Sequence, residues 1–285
     1  DGDMDIISAS INDDTIAWYE NNGGINPSFS AANIITNADA AEAVYIADID
    51  GDGDLDIVGA SANDDSIFWL EHNGAADPTF TKAVIATSAD EASKVVVADI
   101  DGDGDLDIVS ASVSDNSVTW YENDGAANPG WSAANITTSA TGAYDVQVED
   151  MDGDGDLDIL TTSFDASLAW YENDGAANPT FTAADIATSA DGAESIDLAD
   201  LDNDGDLDIV SAAYQGSIAW HENGQKNTRE SKQSDPYEQH AHNQSDLVLF
   251  NDLTIHANLI YFSWLCNLHQ FSHGHLEGER NSEQF

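Results

Sequence analysis

The sequence predicts an all-β fold: a β-propeller of four-stranded antiparallel blades, about four to five of them, in an incomplete or open ring. Three observations predict it. A unit of about fifty residues recurs, with Trp18, Trp69, Trp120, Trp170 and Trp220 in steps of 51, 51, 50 and 50, a period in the range of propeller blades. Each unit holds four short β-rich runs parted by turn residues, and no helical period appears in 1–224. A lone four-stranded sheet cannot hide both faces. Stacking hides them, and a radial arrangement protects the edges.

Within one unit, strand A spans Ala43–Ala47, with Val44 and Ile46 alternating against Tyr45. Its counterparts are Val95/Val97, Val146/Val148 and Ile196/Leu198. An Asp-rich loop follows. Strand B is Asp56–Ser61, small and β-branched, and Gly59, Ala60 and Ser61 let neighbouring sheets approach closely. Asn63-Asp64-Asp65 turns the chain into strand C, Ser66–Glu71, with Trp69 near its centre. Asn73-Gly74 ends that strand, as Asp124-Gly125 and Asp174-Gly175 do later. Pro27, Pro78, Pro129 and Pro179 each precede an aromatic by two residues, and strand D follows at Lys82–Ala86. The tryptophans are expected to fill core. From loop position five to Trp is 17 residues for Asp1, Asp52 and Asp103 but 16 for Asp154 and Asp204. The lost residue therefore lies between strands B and C, in a surface turn.

The loop carries the chemistry. Carboxylates stand at positions one, three, five, seven and nine: Asp48, Asp50, Asp52, Asp54 and Asp56 in the first full copy. The later copies hold Asp99, Asp101, Asp103, Asp105 and Asp107; Asp150, Asp152, Asp154, Asp156 and Asp158; and Asp200, Asp202, Asp204, Asp206 and Asp208. Two like charges ~4 Å apart repel by ~1 kcal/mol even in water, so a cation is expected. Hard oxygen ligands select a hard ion, and a flexible oxygen-rich loop suits Ca²⁺ better than Mg²⁺. The expected count is about four sites. Alternate side chains point inward, Gly53, Gly104, Gly155 and Gly205 take the tight turn, position seven offers its carbonyl and position nine closes the site. An EF-hand is excluded, because position twelve is Gly59, Ser110, Thr161 or Ser211 instead of Glu and the flanks are β-rich. The truncated copy at Asp1, Asp3 and Asp5 should bind weakly or not at all.

Composition narrows the partners. The 285 residues carry 55 acids against 6 Lys and Arg, for a net charge of −49. That excludes nucleic-acid binding by phosphate neutralisation and disfavours anionic membranes. A setting rich in divalent cations is expected. Cys266 is the single cysteine, so cysteine says nothing of redox compartment. No signal-peptide pattern precedes Asp1, and the chain opens inside a motif.

The phrase Asp-Ile-Asp-Gly-Asp-Gly-Asp-Leu-Asp-Ile-Val-Ser-Ala-Ser (99–112), with Ser-Val-Thr-Trp-Tyr-Glu-Asn-Asp-Gly (117–125) downstream, resembles the FG-GAP/VCBS repeats of integrin α-subunit propellers and many secreted proteins. The likeness covers 1–224 and recurs in register. It implies Ca²⁺ in the hairpin loop between strands A and B. Its ligands would be Asp48, Asp50, Asp52, Asp54 through its carbonyl, and Asp56, with the later copies matching position for position. Asn203 replaces only a non-ligand glycine. Family propellers commonly have seven blades, and this chain holds fewer.

From Gln225 the character changes. Residues 225–285 contain no Asp loop, and 225–245 read as a polar, disordered stretch. Leu247–Cys266 is more apolar, but Asn251, Asp252, His256 and Asn258 argue against a membrane span. The tail is expected to be unrelated to the repeats. His269, His273 and His275 form a weak candidate cluster for a transition metal. Asn135-Ile-Thr137 is a glycosylation sequon, a weak signal.

For function, no Ser/His/Asp or Cys/His pattern appears. His72 and His221 read as drift at positions held by Asn and by Tyr or Leu elsewhere. The leading expectation is a non-enzymatic, secreted or cell-surface, Ca²⁺-binding protein for adhesion or display of a protein or glycan ligand. The alternative is an accessory or catalytic propeller of a secreted polysaccharide-degrading enzyme, which an acid/base pair outside the loops, peculiar to one blade, would favour. A lectin-like sugar binder would need exposed aromatics between blades.

Overall fold

The computed structural model describes residues 2–165, 167–187, 192–214, 216–224 and the strand Tyr237–His240. All of them fall in one compact unit, Asp1–Asp246. The first sheet has three strands, β1 (Ile6–Ser10), β2 (Thr15–Asn21) and β3 (Phe29–Ile35). Four four-stranded sheets follow. The second holds β4 (Ala41–Ala47), β5 (Asp56–Ser61), β6 (Ser66–His72) and β7 (Phe80–Ala86). The third holds β8 (Ala92–Ala98), β9 (Asp107–Ser112), β10 (Ser117–Asn123) and β11 (Trp131–Thr137). The fourth holds β12 (Ala143–Glu149), β13 (Asp158–Ser163), β14 (Leu168–Asn173) and β15 (Phe181–Ala187). The fifth holds β16 (Ala193–Ala199), β17 (Asp208–Ala213), β18 (Ile218–Asn223) and β19 (Tyr237–His240). Each is an antiparallel meander, and no helix occurs among the described residues.

Strand A of each sheet adjoins strand A of the next, from β4 through β8 and β12 to β16, and the sheets do not close into a ring. The architecture is an open series of propeller-like blades. Strand B begins at the ninth loop Asp in every full repeat. Strand A starts two residues earlier than the pattern implies, at Ala41, and strand D starts at the aromatic, Phe80. The shorter later repeats lose their residue in the turns between β13 and β14 and between β17 and β18.

The core lies between sheets. Trp69, Ile67 and Val58 of the second sheet pack on Val95, Ile108 and Tyr121 of the third. Trp120 of the third meets Val146, Ile159 and Tyr171 of the fourth. Trp170 and Leu160 of the fourth meet Ile196 and Ile209 of the fifth. Strand B is entirely buried in the second, third and fourth sheets, which explains its small side chains. Volume is traded across the B–C pair. Gly59 faces Phe68, and a Cβ on Gly59 would lie 2.3 Å from the Phe68 ring. The same pair is Ser110 with Thr119 in the third sheet and Thr161 with Ala169 in the fourth.

Two expectations need correcting. Ile46 does not enter the core: Tyr45 is 38 % and Ile46 44 % exposed, while Val44 is half-buried. Val95 and Val97, their counterparts, are buried against the second sheet. Ile46 faces the first sheet, whose innermost strand is the B-type β1, so no strand A covers it. The polar stretch after Gln225 also contributes a strand. Tyr237–His240 pairs antiparallel with β18, placing Tyr237 opposite Asn223. Phe29, Phe80, Trp131 and Phe181 hold that register position earlier. The remaining expectations for 225–285, including the histidine cluster, lie outside the described residues.

Candidate metal centre

Each Asp loop joins strands A and B and is shaped by two left-handed residues. Gly51 and Gly53 have φ of +72° and +96°, and the glycines of the next two loops repeat this. In the last loop Asn203 adopts φ +63° beside Gly205 at +101°; Asn is one of the few non-glycine residues that visit this region readily. Backbone amides then turn inward. Gly53 N donates to Asp48 Oδ2 (3.0 Å), Asp52 N to Asp50 Oδ1 (3.2 Å) and Asp54 N to Asp52 Oδ1 (2.9 Å).

Three carboxylates converge in every full loop, with oxygens within 4.8 Å of one another. The sets are Asp48, Asp50 and Asp56; Asp99, Asp101 and Asp103; Asp150, Asp152 and Asp158; and Asp200, Asp202 and Asp208. The fit to a cation rests on an orphaned atom. Asp48 Oδ1 and Asp99 Oδ1 are buried and accept no hydrogen bond, an arrangement that costs a buried anion dearly unless a cation meets it. An all-oxygen donor set of this kind suits Ca²⁺. Asp54, Asp105 and Asp156 turn their carboxylates away from the loop, against Gly74, Gly125 and Gly175 of the strand C–D turn. Those glycines have φ of +65° to +69°, so a side chain there would meet both strain and the carboxylate.

The ninth Asp is the most buried member. Asp56 and Asp107 are 1 % exposed, as is Asp158. Asp56 Oδ2 accepts from Ile49 N (3.2 Å) and Oδ1 from His72 N (2.7 Å), tying the loop to the end of strand C. Burial raises the carboxyl of Asp107 to about 6 and that of Asp158 to about 7, against the downward pull of these amides. Asp56 is raised for the same reason. Burial also raises Asp101 and Asp152, with Asp103 and Asp154 adding repulsion.

The tryptophans do more than fill space. Trp18 Nε1 donates to Asp5 Oδ2 at 2.9 Å. Trp69 and Trp120 stand likewise beside Asp56 and Asp107 and pull their pKa down, although their Nε1 atoms lack an acceptor at normal bond length. The sequence pattern gave no sign of this contact, which depends on strand register.

Loop position two joins each loop to the following sheet. Ile49, Ile100 and Met151 are buried in the next interface. Their carbonyls accept from Nδ2 of Asn123 (3.2 Å), Asn173 (3.0 Å) and Asn223 (2.9 Å) one repeat onward. The same Nδ2 atoms reach Leu106, Leu157 and Leu207 carbonyls of their own loops. Each asparagine therefore clamps two loops.

Outside the loops, Lys94 Nζ lies 3.1 Å from Asp145 Oδ1, an ion pair between the third and fourth sheets that the sequence reading did not find. Asp145 Oδ1 also accepts from Val146 N and Oδ2 from Ile196 N, so its oxygens are taken up by structure. Nearby, burial and Glu91 raise Glu42 to about 7, and burial with Glu42 and Glu194 raises Tyr144 to about 12. His72 Nδ1 accepts from Gly74 N (3.0 Å), as the Asn123 amide oxygen does from Gly125 N. His221 Nε2 meets Ser211 Oγ at 3.0 Å where Tyr121 meets Ser110. Each histidine thus reproduces one hydrogen bond of the residue it stands for.

Comparison with known families finds the FG-GAP-like repeat four times, over residues 1–59, 48–110, 99–161 and 150–211. No curated protein matches. Among solved structures, a "putative 6-phosphogluconolactonase" from Bacteroides uniformis is similar at TM-score 0.50 and 11% identity, over 81% of this chain and 68% of that one. AofleA from Arthrobotrys oligospora gives TM-score 0.35 and 12% identity, over 73% of this chain and 75% of that one. At such identity the first likeness speaks to fold alone, and the second carries no argument. The repeats and their loops are decisive: the chain belongs to the FG-GAP-like repeat family.

Proposed function

We propose that this chain is a non-enzymatic Ca²⁺-binding repeat scaffold that acts outside the cell or on its surface and offers its sheets to a protein or glycan partner. The observation that carries the reading is the buried, unpartnered oxygen of Asp48 and of Asp99 within converging carboxylates. Asp48, Asp50, Asp52 and Asp56, with the Asp54 carbonyl, would hold one ion, and the three later copies likewise. A bound ion supplies charge neutralisation and fixed hairpin geometry. Ile49 and its counterparts pass that rigidity to the next sheet. Extracellular modules bind Ca²⁺ at concentrations the cytosol does not reach, and a net charge of −49 suits a cation-rich medium.

The test is titration calorimetry of the full chain with Ca²⁺ after chelation. About four ions are expected, with a large rise in melting temperature. Fewer than three ions, or no thermal shift, would refute it. One observation favours the polysaccharide-degrading alternative: Glu42 is held near 7, the range of a general acid. Release of reducing sugar from a polysaccharide panel, lost in Glu42→Gln, would establish that reading instead.

A further inference from the structure

A cleft of about 410 Å³ opens between the second and third sheets, on the rim side of their shared core. One wall is the end of β7 with Thr87 and Ser88. The other is built from Asp115, Thr119, Tyr121, Trp131 and Asn135 of the third sheet. Its size suits a small ligand. Trp131 is half-buried, lines the cleft and packs against the core cluster that holds the buried Tyr121. Thr119 Oγ1 donates to Asn135 Oδ1 at 3.0 Å, which orients the amide and leaves its Nδ2 protons for solvent or a ligand.

The repeat itself supplies a control. At the equivalent positions facing the first sheet stand Phe68, Leu70, Phe80, Lys82 and Val84. There Lys82 Nζ lies 4.1 Å over the Phe68 ring and donates to Asn37 O, two residues past the end of β3 (3.4 Å), so that gap is bridged. The third sheet has Thr119 for Phe68, Ala133 for Lys82 and Asn135 for Val84. Each exchange opens the gap, makes it more polar, or both.

We propose that this cleft binds a neutral mono- or disaccharide. The chemistry selects that class. An aromatic face takes the C–H face of a pyranose, and the surrounding hydroxyl, amide and carboxylate groups match ring hydroxyls. An anionic sugar or phosphate is excluded, since no Lys or Arg lines the cleft and Asp115 does. A wholly apolar ligand would strand the polar rim. The inference rests on the scaffold reading only in needing both sheets folded around their Ca²⁺ loops.

The test uses the full Ca²⁺-loaded chain, made in a host that leaves Asn135 unglycosylated. It is applied to an array of neutral mono- and disaccharides, with sialylated and sulfated sugars as controls, and hits are titrated calorimetrically. Ala133→Lys with Asn135→Val reproduces the bridged gap at two exposed positions, so the melting temperature should hold. Neutral-sugar binding that weakens by about tenfold or more in this variant supports the proposal. Trp131→Phe, which restores the aromatic of the other repeats, should weaken it less. No neutral-sugar binding by the folded protein, binding unchanged in the double variant, or preference for anionic sugars would overturn it. Ca²⁺ counted on the same sample separates the two readings: four ions without sugar binding ends the cleft proposal alone.

Discussion

Removing Ca²⁺ should destabilise the protein in a pH-dependent way whose sign is fixed by the ninth carboxylates. In the ion-free fold, burial lifts Asp158 from the usual 3.8 to about 7 and Asp107 to about 6. At ~1.4 kcal/mol per unit these shifts are worth about 4 and 3 kcal/mol. Water reaching the loop rim screens the charges, so roughly half is retained, about 3–4 kcal/mol together. That is a large part of the 5–15 kcal/mol that holds a typical domain folded. A raised carboxyl means the ion-free folded state holds protons that the unfolded chain has released. Its stability is therefore fully present below about 4 and falls as pH rises through about 7. The Ca²⁺-loaded protein behaves oppositely, because protons displace the ion as pH drops. Melting temperature measured from pH 5 to 8, with Ca²⁺ and with chelator, should give two curves far apart at pH 8 that converge towards pH 5. Chelation without effect at pH 8, or a gap that widens on acidification, would refute the reasoning.

Other outcomes follow from the same geometry. Asp158→Asn should lower the Ca²⁺ count by one, because Asp158 is one of the three converging carboxylates, whereas Asp156→Asn should leave it unchanged, because Asp156 turns its carboxylate towards Gly175; calorimetric stoichiometry distinguishes them. Asn173→Ala strands the Ile100 and Leu157 carbonyls and should cost about 2–4 kcal/mol in denaturant unfolding. Gly59→Ser meets the Phe68 ring and should cost about 1–3 kcal/mol. Adding Phe68→Thr recreates the pair of the third sheet and should recover most of that loss, which a double-mutant cycle reads directly.

The strand pattern was legible because it recurs: Asp56–Ser61 was bounded correctly by small residues on one side and a turn on the other. The loops were legible as carboxylate spacing. What depended on neighbours was not. Trp18 reaching Asp5, and Lys94 reaching Asp145, join residues whose proximity is set by strand register and sheet stacking. Ile46 looked like core because its alternation matched Val97, yet exposure depends on the sheet opposite. Tyr237–His240 escaped notice because the connection before it, 224–236, is longer than the seven-residue connection 73–79, and its Pro236 precedes the aromatic by one residue instead of two.

The clamp formed by Asn123, Asn173 and Asn223 has an evolutionary consequence. Each of the three clamped seams is written by two consecutive units only, and the same few positions write all three. A gene segment encoding one whole unit can therefore be copied or lost in frame, and the new junction inherits a working contact on both sides. Blade number becomes a quantity that recombination can change in single steps, while point mutation retunes individual gaps such as the one beside Trp131.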